Sequence, residues 1–149
     1  MGSSTSRRHI LIVENNGSDS EAMVKLLERA PGDMRITVAR SGDEALQVLT
    51  GAGDDSPNLV ILDLGLVGRD GRDILRTIKN HPALHHIPVV VFSGSVRERD
   101  VQEAYEKGAS AFIRKPGGFK DFVDVLRRIQ KYWVNAVELP SSKSEELTR

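Results

Sequence analysis

The chain has 149 residues, of which 39% are hydrophobic and 28% are charged, and its 21 basic and 21 acidic side chains give a formal net charge of zero. A neutral chain of this size is typical of one globular domain that has no electrostatic attraction for nucleic acid or for an anionic membrane, and no apolar run approaches the ~20 residues of a membrane-spanning helix. The absence of cysteine excludes disulfides, thiolate metal ligands and a catalytic cysteine, and it favours a reducing, cytoplasmic location.

Five short aliphatic runs alternate along the chain with segments in which apolar residues recur at helical spacing. Each run is continuous and rich in Val and Ile, which is typical of a parallel strand buried on both faces. The predicted strands cover residues 9–14, 35–40, 59–64, 88–93 and 111–115. The predicted helices cover residues 20–30, 42–50, 72–80, 97–108 and 119–137. This alternation predicts an open, doubly wound α/β sheet in residues 8–138, with a flexible leader at 1–7 and a disordered tail at 139–149.

Polar residues follow four of the predicted strands, at the edge where a doubly wound sheet binds its ligands. They are Glu14, Asn15 and Asn16 after the first strand, Asp63 in the third, Ser93 in the fourth and Lys115 in the fifth. Each has an ordinary structural explanation when taken alone, since Asp and Asn are common in turns and Ser often caps a helix. Together they suit a phosphoryl group and Mg2+, because carboxylate oxygens bind hard cations and hydroxyl and ammonium groups bind phosphoryl oxygens.

Four segments, in this order, resemble the motifs of response-regulator receiver domains: VENN, LDLGLVGRDG, VVVFSGS and AFIRKP. The resemblance covers about residues 8–138 and implies a flavodoxin-like (βα)5 fold with strand order 2-1-3-4-5. It also implies the function of a response regulator in a two-component phosphorelay. Such a protein accepts a phosphoryl group from a sensor histidine kinase and signals by contact with a downstream protein, whose identity the sequence does not give.

The resemblance further implies the ligands of the reacting group. Asp63 takes the place of the phosphoacceptor. Mg2+ is expected to bind to Asp63, to Asn15, to the backbone carbonyl of Gly65 and, through water, to Glu14.

The remaining family positions are expected to respond to the phosphoryl group. Lys115 pairs with Asp63 and then with the phosphoryl oxygens, Ser93 moves toward them, and Phe112 rotates inward as the readout. Asp19 is expected to cap the first helix. The Lys115–Pro116 peptide bond is expected to be cis.

Three positions depart from the family pattern. Asn15 replaces a carboxylate ligand of the metal, Gly65 stands where larger side chains are common, and Val67 replaces a usual proline. The loss of one negative charge beside Mg2+ weakens the predicted metal site. An alternative function is therefore a receiver-like adaptor that signals without phosphorylation.

Other phosphate-binding families fit less well. FMN-binding flavodoxins need a Ser/Thr- and Gly-rich loop after the first strand, where this chain has ENNGSD. Haloacid-dehalogenase-type phosphatases have a second aspartate at the position of Gly65, and the chain has neither a P-loop nor a G-x-G-x-x-G motif.

The last predicted helix suggests the partners. FKDFVDVLRRIQKYWVNAVELP resembles the end of stand-alone receivers that partner bacterial phytochromes. A helix over residues 119–137 would overhang the sheet, because it is roughly 28 Å long and a strand of five or six residues covers only ~17–20 Å. Either the last turns fold back over the edge of the sheet, or they expose apolar side chains. We favour exposure, which predicts a homodimer interface on this helix and the neighbouring face of the fifth strand. Its predicted residues are Tyr132, Trp133, Val134 and Val137.

Overall fold

The computed structural model describes residues 8–51, 53–65, 71–95 and 97–141. The predicted leader, Val67 and the part of the predicted tail from residue 142 onward lie outside this range. Strands and helices alternate in the order β1 Arg8–Val13, α1 Gly17–Leu27, β2 Met34–Ala39, α2 Gly42–Gly51, β3 Leu59–Leu62, α3 Gly71–Asn80, β4 Val89–Ser93, α4 Glu98–Glu106, β5 Ala111–Arg114 and α5 Phe119–Ile129. A 3-10 turn covers Gly53–Asp55 and a π-helical segment covers Gln130–Ala136.

The five strands form one parallel sheet with the order β2-β1-β3-β4-β5. Alternate residues of each strand point to opposite faces. Leu11 and Val13 of β1 belong to a core beneath α2, α3 and α4, whereas Ile10 and Ile12 belong to a core beneath α1 and α5. Because both faces are covered, the strands are continuous apolar runs, and the predicted fold class and strand order are confirmed.

The end of the predicted fifth helix differs from the prediction. The α-helix ends at Ile129, and the chain continues as the π-helical segment. The Arg8 side chain donates to the carbonyl oxygens of Pro31 and Val134, and Gln130 Nε2 donates to Leu26 O at 3.3 Å. These contacts hold the segment against its own domain, so the predicted overhang is wrong.

The side chains of this segment are more buried than the prediction of an overhanging helix implies. Val134 is only 1% exposed and belongs to the α1–α5 core, so its prediction as an exposed interface residue is wrong. Trp133 is half-buried against the same core, Val137 is half-buried, and Tyr132 stays 60% exposed.

The domain extends past the predicted boundary at residue 138. Leu139 packs against the α1–α5 core, and Pro140 O accepts a hydrogen bond of 2.8 Å from Asn58 Nδ2. Asn58 directly precedes β3, so the chain passes beneath the edge of the sheet at which the strands begin. Within the part of the chain that the structure describes, no helix combines the length and apolar character needed to cross a membrane.

Candidate functional site

The site begins with the neighbouring strands β1 and β3. Val13 and Leu62 are paired across these strands, so the residues that follow them, Glu14 and Asp63, emerge side by side at the carboxyl edge of the sheet. Asp63 N donates to Val13 O at 3.0 Å, which fixes the backbone of the predicted acceptor. The sheet order thus brings together two carboxylates that are far apart in sequence.

The chain that follows Asp63 is held by a close approach of α3. Gly71 N donates to Leu64 O at 3.1 Å, and a Cβ atom on Gly71 would lie only 2.6 Å from Asp63 O and 2.5 Å from Leu64 Cα. Only glycine fits this contact without displacement of the backbone. Gly71 therefore fixes the carbonyl side of the predicted acceptor.

Lys115 crosses from the end of β5 and reaches three carboxylates. Its Nζ atom lies 2.7 Å from Glu14 Oε1, 3.0 Å from Asp19 Oδ2 and 3.1 Å from Asp63 Oδ2. The ammonium also lies 5.9 Å from the centroid of the Phe92 ring, which forms an apolar wall beside it. We call Glu14, Asp19, Asp63 and Lys115 the acidic cluster.

Burial and charge set the protonation of this cluster. Burial raises the pKa of Glu14; the hydrogen bond from Lys115 opposes this shift, and the charge of Asp63 adds to it. Burial alone would lower the pKa of Lys115, but its hydrogen bonds to Glu14 and Asp19 and the charge of Asp63 raise that pKa above its ordinary value. Lys115 is therefore a fixed positive charge at neutral pH.

Asp63 is the accessible carboxylate of the central pair. Its side chain is 15% exposed, compared with 2% for Glu14. One oxygen accepts from Lys115, and the other, Oδ1, accepts from Gly65 N at 3.0 Å. Both oxygens thus accept hydrogen bonds, and the open side of the carboxylate faces a cleft. This arrangement suits a nucleophile that must meet an incoming group.

The start of α1 corrects the predicted role of Asp19. Asn16 caps the helix, since its Oδ1 accepts from Asp19 N at 2.9 Å. The Asp19 carboxylate instead bonds Lys115, a role that the sequence interpretation missed. The available signal was an acidic residue in the first turn of a helix that starts at the acidic edge. Asn16 N also donates to Glu14 Oε2 at 3.1 Å, which links the cap to the cluster.

The residues predicted to bind Mg2+ form an oxygen-rich set that fits this ion. Glu14 and Asp63 supply carboxylates, Asn15 is exposed beside them, and Gly65 lies on the same edge. Over the described ranges, no group of three acidic or histidine side chains is arranged so that it could hold a metal, and the three carboxylates of the acidic cluster contact Lys115. Mg2+ needs only one or two carboxylates, with water and carbonyl ligands completing the octahedron.

Ser93 and Phe112 belong to the neighbouring strands β4 and β5. Ser93 is the last residue of β4 and is 4% exposed, with its Oγ accepting from Ser95 N at 3.4 Å. Phe112 is half-buried against the α2–α4 core, and its backbone N donates to the Tyr105 hydroxyl at 3.0 Å. Their movement on phosphorylation stays a prediction.

The Lys115–Pro116 bond is trans, and the predicted cis bond is wrong. Lys115 N donates to Ser93 O at 2.9 Å and so continues the ladder between β4 and β5. From that position the four-carbon side chain already reaches Glu14 and Asp63. A cis bond is therefore not needed to place the ammonium over the acidic edge.

The chain matches the family model of the response regulator receiver domain over residues 10–127. It is 34% identical to the response regulator Rcp1 of Synechocystis sp. over 137 residues, covering 89% of this chain and 93% of Rcp1. It is also 34% identical to the probable methanogenesis regulatory protein FilR2 of Methanothrix harundinacea over 128 residues, covering 84% of this chain and 83% of FilR2.

Solved structures agree with this match. The Mn2+-bound form of Rcp1 superposes with a TM-score of 0.85 at 34% identity, covering 90% of this chain and 99% of Rcp1. The phosphorylated cyanobacterial phytochrome response regulator RcpA superposes with a TM-score of 0.86 at 31% identity, covering 91% of this chain and all of RcpA, 100%. With its sheet order, its central carboxylates and these relatives, the chain belongs to the response regulator receiver family.

Proposed function

We propose that this protein accepts a phosphoryl group on Asp63 from a sensor histidine kinase, with Mg2+ as cofactor, and signals by protein contact from the cytoplasm. The proposal is carried by one observation: the accessible carboxylate of Asp63 lies beside Glu14 and is bonded to the fixed ammonium of Lys115 at 3.1 Å. Membership of the family and the likeness to Rcp1 and RcpA support it.

The proposed reaction is a single displacement at phosphorus. An Asp63 carboxylate oxygen forms a bond with phosphorus while the P–N bond of the phosphohistidine breaks, and the imidazole leaves with the electron pair. Lys115 can move from the Asp63 oxygen to a phosphoryl oxygen within the same cluster. Mg2+, held by Glu14, Asn15, Asp63 and the Gly65 carbonyl, would neutralise charge on the transferring group. We also propose that water later hydrolyses the aspartyl phosphate in the same cleft.

The surface beside Lys115 fits a kinase contact. A hollow of about 340 Å³ is lined by Asp19, Lys115 and the Pro116–Phe119 turn. Phe119 is 75% exposed, which makes it an apolar contact in the same hollow as Lys115. Because RcpA is a phytochrome response regulator, we propose a phytochrome-type kinase as the partner.

We also propose a homodimer through α5 and the open edge of β5. A groove of about 290 Å³ is lined there by Ile113, Val125, Arg128, Ile129, Tyr132 and Trp133. A second copy offers the same groove and the same unpaired strand edge, as an isologous contact requires. The interface leaves the acidic cluster accessible. Of the residues predicted from the sequence, Tyr132, Trp133 and Val137 remain in this proposal.

The test is incubation with Mg2+ and acetyl phosphate, followed by intact mass. The expected result is a gain of one phosphoryl group in the wild type and none in Asp63→Asn. Folding of the variant is checked by circular dichroism. Labelling that persists in Asp63→Asn would refute the acceptor assignment.

A second candidate function is an adaptor that signals without phosphorylation. It is favoured by Asn15, which brings no charge to the metal position, and by the three carboxylates already bonded to Lys115. A wild type that gains no phosphoryl group in the same experiment would support this alternative.

A further inference from the structure

We propose that Arg97 is a phosphoryl-binding residue, whose guanidinium is anchored on the buried carboxylate of Asp100 and binds the oxygens of the donor phosphoryl group in the cleft beside Asp63. The inference rests on the proposed phosphorylation of Asp63. It assigns a ligand of the reacting group on the side of the cleft opposite Lys115.

The cleft joins the acceptor to the starts of α3 and α4. It has a volume of about 500 Å³, which lies within the range of small-molecule sites. Its lining consists of Asp63, Leu64, Gly65, Arg72, Ser93, Gly94, Ser95, Arg97 and Asp100. A donor that approaches the open side of Asp63 therefore passes two guanidinium groups.

Asp100 is the anchor of this arrangement. It is 5% exposed, and its carboxylate accepts from the Ser95 hydroxyl and from Arg72 Nη1 at 2.9 Å, while Arg97 Nε forms an ion pair with it at 3.4 Å. The Ser95 hydrogen bond and the two guanidinium groups hold the pKa of this carboxyl below its usual range, although burial opposes the shift. This buried carboxylate holds Arg72 by a charge-assisted hydrogen bond and keeps the Arg97 guanidinium nearby by charge attraction.

The two arginines differ in how many of their donor groups are available to a ligand. Arg72 is 29% exposed and lies between Asp100 and Glu103, whose Oε1 is 3.6 Å from its Nη1, so it braces α3 against α4. Arg97 is 63% exposed and contacts Asp100 through Nε. Among the described residues, neither terminal nitrogen of Arg97 has a hydrogen-bonding partner. These two donors form a planar fork that matches two phosphoryl oxygens.

The charge distribution supports the same occupant. On the Lys115 side, three carboxylates surround one ammonium, which opposes the approach of a dianionic donor. Arg97 offers the compensating positive charge on the other side of Asp63. Since an arginine stays protonated, it can bind the phosphoryl oxygens before and after transfer.

The test measures transfer from acetyl phosphate. In that step an Asp63 oxygen bonds to phosphorus, the P–O bond to the acetyl group breaks, and the electron pair leaves on acetate. Initial rates of labelling are followed by intact mass over a range of donor concentrations at fixed Mg2+ and ionic strength. The proteins compared are wild type, Arg97→Gln, Arg97→Lys and Arg99→Gln.

Arg99→Gln is the matched control. It removes the same charge at the start of α4, two residues away, from an exposed side chain outside the cleft lining. Arg97→Gln should need about tenfold more donor for half-maximal rate, the factor expected for the loss of one charge-assisted contact. Arg97→Lys should lie between wild type and Arg97→Gln, because lysine keeps the charge and loses the fork. Arg99→Gln should match the wild type.

Asp100→Asn tests the anchor by a second route. It keeps the shape of the side chain and removes the charge that holds Arg97, so it should raise the half-maximal donor concentration in the wild-type background. In an Arg97→Gln background it should have no further effect on that concentration. Melting curves for each variant separate this result from loss of folding.

The outcomes distinguish the two proposals. Equal donor dependence in wild type and Arg97→Gln would overturn the assignment of Arg97 and leave phosphorylation of Asp63 intact. An equal loss in Arg99→Gln would show a general effect of helix charge and would also overturn it. A wild type that is never labelled would overturn both proposals.

Discussion

Asn15 and Asp19 both lie at the acidic edge of the sheet, but only Asp19 adds a negative charge there. Asn15 is neutral and exposed at the predicted metal position, whereas Asp19 places a third carboxylate on Lys115 at 3.0 Å. The edge thus keeps a strongly negative character despite the asparagine. The edge nevertheless has no carboxylate at position 15, where the predicted metal ligand is a neutral amide.

Asn15→Asp should tighten Mg2+ binding by about tenfold, because added ligand charge raises affinity for a hard cation. The same change should lower metal-free stability by about 1 kcal/mol, since one more carboxylate then crowds the cluster. Calorimetric titration and thermal unfolding in chelator measure the two effects. Asn16→Asp adds the same charge one residue away and keeps a good helix cap, so it should leave Mg2+ affinity nearly unchanged. Equal affinity in wild type and Asn15→Asp would contradict this account.

Asp63→Asn should change the pH dependence of metal-free stability. The pKa of Glu14 is raised in the folded protein by burial and by the charge of Asp63. A carboxyl with a raised folded pKa stabilises the fold at low pH and loses that contribution as pH rises above its unfolded pKa of about 4.3. Without the Asp63 charge the loss is smaller, so the stability of Asp63→Asn relative to wild type should rise with pH.

This prediction is tested by chemical unfolding of both proteins in the presence of a chelator. The pH is varied from about 4, near the ordinary pKa of a glutamate, to about 7. The difference should grow to no more than about 1 kcal/mol at neutral pH. A constant difference across this range would show that Asp63 does not influence the ionisation of Glu14.

At the scale of elements, the strands were predictable and the end of α5 was not. Continuous Val- and Ile-rich runs that alternate with helical patterns predict buried strands, and the predicted bounds agree with the structure to within two residues. The helical spacing, by contrast, continues unbroken through Trp133 and Val134. The change to a π-helical segment depends on Arg8 and Leu26, which are more than 100 residues away in sequence.

In the candidate site, too, some features were predictable from the sequence and others were not. Residue types at strand ends were enough to predict that Glu14, Asp63 and Lys115 meet, because parallel strands share one carboxyl edge. The contact of Asp19 with Lys115 depends on side-chain reach, which spacing does not encode, and spacing does not determine the isomer of the bond before Pro116 either. The Asp100 anchor was also missed, because an acidic residue in the first turn of a helix is usually only a favourable charge.

At the scale of the whole molecule, the proposed homodimer predicts the effect of a charge in the α5 groove. Trp133→Glu should give a folded monomer by sedimentation, because a carboxylate in a paired apolar groove would lose its solvation. Phe119→Glu places the same charge at the other end of α5, outside the groove, and should stay dimeric. A wild type that is monomeric at high concentration would rule out the dimer.

The hydrogen bond between Asn58 and Pro140 has a practical consequence for measuring how a kinase binds to this protein. It holds residue 140 at the edge where the strands begin, and the rise of about 3.3 Å per residue along β3 puts Asp63 roughly 16 Å away on the opposite edge. Because the chain contains no cysteine, Ser141→Cys would create a single thiol there. Attachment through that thiol would immobilise the protein on a sensor surface with its acidic cluster facing the solution, so that a kinase could reach Asp63 unobstructed.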